Sequence, residues 1–154
     1  MRQTRYMLLC GAGAALGSVA AIMVLAKAEG RPALGPVNAS SHWLWGDEAG
    51  RSSEADLTHT GIGGATNIGA GLMWGGLLGA HLQRRRPSPT GIVRDGMVMG
   101  AIAALLDYGL LPRRLSPGWE LVLSGRSVVL GMAGMVAGAV LGGLAARATD
   151  DEEE

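Results

Sequence analysis

Tyr6-Met-Leu-Leu-Cys-Gly-Ala-Gly-Ala-Ala-Leu-Gly-Ser-Val-Ala-Ala-Ile-Met-Val-Leu-Ala26 is a run of 21 residues without a charge, preceded by Arg2 and Arg5 and closed by Lys27. A helix needs about 20 apolar residues to cross a bilayer, so this stretch reads as a membrane span. A signal peptide competes, because Ala26-Lys27-Ala28 resembles a small-residue cleavage site. The apolar run exceeds the roughly 7 to 15 residues of a signal core, which favours a retained helix. Thr60 to Ala80 and Ser127 to Ala146 are further uncharged runs of spanning length. Gly96 to Leu106 is harder to read, since only eleven residues precede Asp107. At 1.5 Å per residue they cover about 17 Å, short of the roughly 30 Å hydrocarbon core. That helix is expected to start near Ile92, to pass through Asp107 and to end at about Pro112. The expected fold is all-α, an integral membrane bundle of four transmembrane helices at about 6–26, 60–81, 92–112 and 127–146. One domain, 1–149, is followed by an acidic, disordered tail at 150–154.

Composition agrees with a bilayer setting. At 154 residues the chain leaves no room for a soluble domain beside four spans. Charged residues make up 17%, below the roughly 25% of soluble proteins. The mean hydropathy of +0.25 is held down by 26 glycines, which add no polar side chain. A formal net charge of zero provides no field to attract nucleic acid. The lipid bilayer is the partner the sequence implies, and no protein partner is identified. Cys10 is the only cysteine, which excludes an intrachain disulfide and a multi-cysteine metal cluster. Glycines recur at four-residue spacing at Gly13 and Gly17, Gly71, Gly75 and Gly79, Gly96 and Gly100, and Gly134, Gly138 and Gly142. Such faces let helices approach closely. They serve either the bundle or a homo-oligomer, and spacing does not separate the two.

Orientation rests on Arg84-Arg85-Arg86, a basic loop that belongs in the cytoplasm by the positive-inside rule. Both termini then lie in the cytoplasm, while residues 27–59 and the loop after Pro112 lie outside. Asn38-Ala-Ser-Ser-His-Trp-Leu-Trp-Gly46 is expected to form a short interfacial helix. Asn38 would be its N-cap, Gly46 its stop, and Trp43 and Trp45 would sit at the headgroup level.

This topology gathers the polar residues at the outer end. Asn67 lies about 10 Å inside Thr60, and Asp107 about 8 Å inside Pro112, so the two share a level. The candidate cluster is Asn38, Ser41, His42, Asn67, Asp107, Tyr108, Arg114 and Glu120. Asp107 is the sharpest member, because an ionisable group within a span is costly unless paired. One reading pairs it with Arg113 or Arg114. Another makes it a proton carrier or metal ligand. His42, Asp107 and Glu120 form a possible metal set, although no HExxH or CxxC spacing supports it. Residues 38 and 42 share a helix face, so Asn38 and His42 could bind a ligand together, but a histidine hydrogen-bonded at the interface is the favoured reading. Ser41 and His42 do not make a catalytic pair, since adjacent helical residues point apart. No cofactor is assigned.

In Asn38-x-x-Ser41-His42-Trp43-x-Trp45-Gly46 and Asp107-Tyr108-Gly109-x-x-Pro112-x-Arg114-Leu115-x-Pro117-Gly118-Trp119-Glu120, the chain resembles a family of small bacterial membrane proteins. The likeness covers about residues 36–125. It implies a bacterial inner membrane and implies no activity. It also implies a histidine near the position that Asn67 holds here, so this chain departs from that pattern. The expectation is a non-catalytic structural or accessory membrane protein with its polar cluster at the periplasmic end. The alternatives are a membrane-embedded metal-dependent enzyme and a small proton-coupled transporter using Asp107.

Overall fold

The computed structural model describes residues 2–85 and 87–152 and is helical, with no strand among the described residues. Arg86 and the tail residues Glu153 and Glu154 lie outside the described residues. Four long helices are present: α1 (Arg2–Ala28), α4 (Ile62–Leu82), α5 (Pro89–Leu105) and α6 (Gly125–Glu152). Two short ones, α2 (Gly35–Ala39) and α3 (His42–Trp45), lie in the first connection. Three segments are long and apolar enough to cross a membrane, Thr4–Ala28, Pro89–Leu110 and Gly125–Asp150. α4 has the expected place and 21 residues, but seven glycines and Asn67 dilute its aliphatic side chains.

The outward faces of these helices are apolar. Leu16 on α1 is 72% exposed and Leu141 on α6 67%, and Met97, Val98 and Ile102 on α5 are also exposed. Burying such belts in hydrocarbon removes a penalty that water would impose on a surface of this kind.

α1 is the axis of the bundle, packed between α4 and α6. Both contacts use the glycine spacings. Gly71, Gly75 and Gly79 lie against Ala15, Cys10 and Tyr6, while Gly134, Gly138 and Gly142 lie against Gly17, Gly13 and Leu9. A Cβ on Gly138 would fall 1.9 Å from the Gly13 carbonyl oxygen, so a side chain there has no room. The small-residue faces of α1, α4 and α6 are therefore filled within the chain. Gly96 and Gly100 instead meet the side chains of Val140 and Val136, so α5 leans on α6 through larger groups. Cys10 is fully buried among these apolar contacts, a small hydrophobe and not a reactive thiol.

Helix ends explain where the expected boundaries move. α5 starts at Pro89, not near Ile92, because the Ser88 hydroxyl accepts from Gly91 N at 3.1 Å and Pro89 suits the first helical position. Past Leu105 it widens into a π-type turn, Leu106–Leu110, and Leu111 turns extended. α6 begins beside Glu29, whose carboxylate accepts from Ser124 N at 3.2 Å and from the Ser124 hydroxyl at 2.6 Å. Those bonds from Ser124, and one from Ser127, hold the Glu29 carboxyl below its usual value of 4.5. At its far end α6 stays helical to Glu152, through the first residues of the expected disordered tail. Arg5 lies 3.5 Å from Asp150 there, so the tail's first carboxylate has a partner on α1.

The segment around His42 differs from the expected single interfacial helix. It breaks into α2 and α3, and every residue of α2 is buried. Asn38 lies inside α2 instead of capping it, and Pro36 supplies the helix start. Gly46 does end α3, with a φ of 78° that a side chain would disfavour. Only Trp43, Leu44 and Trp45 are exposed in this segment.

Candidate functional site

Two polar sets sit at the end of the bundle that carries α2 and the loop after α5. The first is a closed network. Buried polar side chains are tolerated when their hydrogen bonds are made within the protein, and here they are made for all but one atom, Glu120 Oε2, among the described residues. Asn38 is 0% exposed, donating to Ser52 O at 3.1 Å and Glu54 O at 3.0 Å, and accepting from the Thr60 hydroxyl at 2.7 Å. It fastens α2 to the segment that leads into α4. The Ser40 hydroxyl donates to Pro117 O at 2.7 Å, and the Ser41 hydroxyl to Asn38 O at 2.7 Å. His42 bonds through Nε2 to Ser116 O at 2.9 Å. A carbonyl only accepts, so Nε2 carries the proton and has no lone pair for a metal.

The loop after α5 closes over α2 because Gly118 permits it. Its φ is +79°, and a Cβ there would lie 2.6 Å from both Ala39 O and the His42 ring. The turn then sets Trp119 inward, where its indole N–H donates to Asn67 Oδ1 at 3.0 Å. The Asn67 amide donates in turn to Gly63 O at 2.8 Å. Ser116 donates to Glu120 Oε1, and Arg114 Nε donates to Trp43 O at 2.9 Å. Thus α2, α3, α4 and the 112–121 loop are tied to one another by named bonds.

The second set faces a cavity of about 220 Å³ beneath this network. Asp107, Asn67, Ser18, Ser40, Thr66 and Ser116 supply its polar wall, and Trp74, Trp119, Met132 and Met135 its apolar wall. Asp107 is half-buried in the π-type turn after α5 and has no hydrogen bond or ion pair among the described residues. The expected pairing with Arg113 or Arg114 is not made. Leu111 and Pro112 run extended and carry both arginines to the outer surface, where Arg113 pairs with the exposed Asp47 at 3.1 Å.

The predicted residues therefore divide. Asn67 and Asp107 line one cavity, and His42, Asp47, Arg113 and Arg114 line a separate surface hollow of about 210 Å³. Asn38 and His42 do not act together, because the break after Ala39 turns one towards Ser52 and the other towards Ser116. The set His42, Asp107 and Glu120 is not assembled: among the described residues no three His, Cys, Asp or Glu gather where they would hold a metal ion. Tyr108 is 37% exposed and within electrostatic reach of Glu120. Glu120 Oε2 is buried with no hydrogen-bond partner among the described residues. His59 stands apart, its backbone N–H and Nδ1 both bonded to Asp56. The backbone bond and then the ring bond hold the Asp56 carboxyl below its usual value.

Ser40, Ser116 and Gly118 join most of the network and were not singled out as site residues. A serine flanked by Leu115 and Pro117 gives no sign of its partner until the loop is folded over α2. No protein-family model, curated protein or solved structure matches the chain.

Proposed function

We propose that this chain is a four-span protein of the bacterial inner membrane, non-catalytic and structural or accessory in role, with a locked cap at its periplasmic end. The observation that carries the role is the hydrogen bonding of the cap: Asn38, Ser40 and His42 bond across to neighbouring segments, while Ser41 and Asn67 donate to carbonyls of their own turns and Asn67 accepts from Trp119. Asn38, Ser40 and Ser41 act as ties between parts of the chain, and the Nε2–H of His42 is spent in the same way. α4 is counted as the fourth span because it packs along α1 and shows Ile68, Leu72, Met73 and Leu77 on its outer face. The arginines at 84 and 85 support a cytoplasmic loop between α4 and α5.

The role is tested by Ser40→Ala and His42→Ala, measured as thermal midpoints in detergent. Each variant is expected to melt lower by the scale of one buried bond, about 1 kcal/mol for Ser40 and up to about 3 kcal/mol where a buried carbonyl is stranded. A folded variant with an unchanged midpoint contradicts the lock. The topology is tested by a membrane-impermeant maleimide on intact cells, using Glu48→Cys and Ser88→Cys; the native Cys10 is buried and stays silent. Labelling is expected at 48 and not at 88, and the reverse pattern overturns the orientation.

A further inference from the structure

Two hollows share Trp74 as a wall: a polar cavity bounded by α1, α4, α6 and the turn and loop after α5, and an apolar groove in the seam between α4 and α5. The polar cavity lies on the cap side. The apolar groove, of about 340 Å³, is lined by Leu77, Leu78, Val98, Met99 and Ile102 and closed by the His81–Asp95 pair at 3.3 Å.

Counting hydrogens shows what the cavity offers. The Ser18 hydroxyl donates to Ala15 O, Ser40 to Pro117 O, Thr66 to Ile62 O and Ser116 within its own loop. A hydroxyl has one hydrogen and two lone pairs, so these four keep acceptor capacity, Thr66 less the lone pair that takes the Trp43 indole N–H at 3.1 Å. The Trp119 N–H is given to Asn67. Asp107 adds an acceptor with a negative charge and no partner among the described residues. Against these acceptors the wall has two uncommitted donors among the described residues, the second Asn67 amide hydrogen and the Trp74 indole N–H, so a complementary ligand brings donors and a positive charge to Asp107 and carries acceptors of its own. A protonated primary amine has three N–H donors on one charge, and the Trp74 and Trp119 rings add a surface that favours cations. The volume is several times what one water needs and small for a drug-sized molecule. Met73, Leu111 and Leu115 at the cavity are exposed and apolar, so the mouth opens towards lipid, and the groove adjoins the cavity at Trp74.

We infer that this cavity and the adjoining α4–α5 seam bind an aminophospholipid, its ammonium against Asp107 and one acyl chain in the groove beyond Trp74. This rests on α4 being a membrane span. It also uses the cap's hydrogen bonds, which leave acceptors towards the cavity, but its test reads lipid retention while the cap is judged by melting, so the two fail separately.

The test is native mass spectrometry of the full chain in detergent micelles containing equal amounts of phosphatidylethanolamine and phosphatidylglycerol. Preferential retention of phosphatidylethanolamine is expected. Asp107→Asn is expected to reduce that retention about tenfold or more, the scale of one charge-assisted bond. Ala70→Leu, which places a larger side chain at the cavity wall without touching Asp107, is expected to do the same and covers the case in which Asp107→Asn fails to fold. Equal retention of the two lipids, or retention unaltered in a folded variant, overturns the inference. A third arm adds free ethanolamine in excess. It is expected to leave the lipid in place, and displacement by the soluble amine alone overturns the lipid as the ligand's source.

Discussion

Along α1 the neighbouring helices approach backbone to backbone, whereas α5 is held off its neighbours by side chains. At the α1–α6 contact Gly13 faces Gly138, and at the α1–α4 contact Gly75 faces Cys10, with no space for a Cβ at either glycine. At α5, Gly96 and Gly100 meet Val140 and Val136, and hollows lie on both its flanks. Close approach gains dispersion contacts over a long surface and leaves no voids. Branched side chains on a smaller contact leave gaps that an occupant can fill. The three-helix trunk therefore supplies rigidity, and the fourth long helix supplies space. Asp107 belongs to the second kind of region, and the hydrogen-bonded cap joins the two.

The comparison is broken most severely at the trunk. Gly138→Leu places atoms where the Gly13 carbonyl lies and is expected to cost about 3 kcal/mol or more, read as lost yield or a collapsed melting transition. A variant with the wild-type midpoint would erase the distinction. Gly100→Ala probes the looser side, where the nearest obstacle is the Val136 side chain, at 2.2 Å from the new Cβ. That side chain has room to rotate beside the hollow, so a loss of about 1 kcal/mol is expected. A loss as large as that of Gly138→Leu would show that α5 is packed as tightly as α1.

A smaller effect comes from Glu29, which joins the end of α1 to the start of α6. Its carboxyl is held low in the folded chain by the Ser124 and Ser127 bonds. A group with a depressed folded value stabilises above its unfolded value and loses that contribution as pH falls through the folded value. The melting midpoint of the native chain is therefore expected to fall more than that of Glu29→Gln between pH 5 and 3, and parallel profiles would remove Glu29 from the account. Smallest of all is Gly76→Ala. Nothing lies within 4 Å of a Cβ there, so the substitution is expected to be neutral or to stabilise by up to about 1 kcal/mol through helix propensity. A clear loss would mean that a partner covers that face.

The trunk was the legible part of the sequence. Charge-free runs of spanning length located α1 and α6, and the glycine spacings marked the faces that the helices use, since both signals are local and periodic. The depth argument that set Asn67 and Asp107 at one level also needed only helix rise. What sequence reasoning missed depends on where chain segments return. Arg113 and Arg114 stand six and seven residues from Asp107, within reach along the chain, yet extended Leu111 and Pro112 carry them to Asp47 and Trp43. Asn38 had the residue type of a helix cap, but burial of α2 gave its amide carbonyl partners at Ser52 and Glu54. Ser116 and Gly118 acquire their roles only when the loop lies on Ala39 and His42, a contact between parts of the chain more than 70 residues apart.

The central claim is that the polar residues at the α2 end of the bundle divide into a hydrogen-bonded lock and one carboxylate, Asp107, with no bond to the described residues. It is tested most directly by comparing the thermal midpoints of Trp119→Phe and Asp107→Asn in the same detergent. Trp119→Phe removes the donor to buried Asn67 Oδ1 and is expected to cost about 1 to 3 kcal/mol, while Asp107→Asn removes no protein contact and is expected to melt with the native chain. A stable Trp119→Phe beside a strongly destabilised Asp107→Asn would contradict the division.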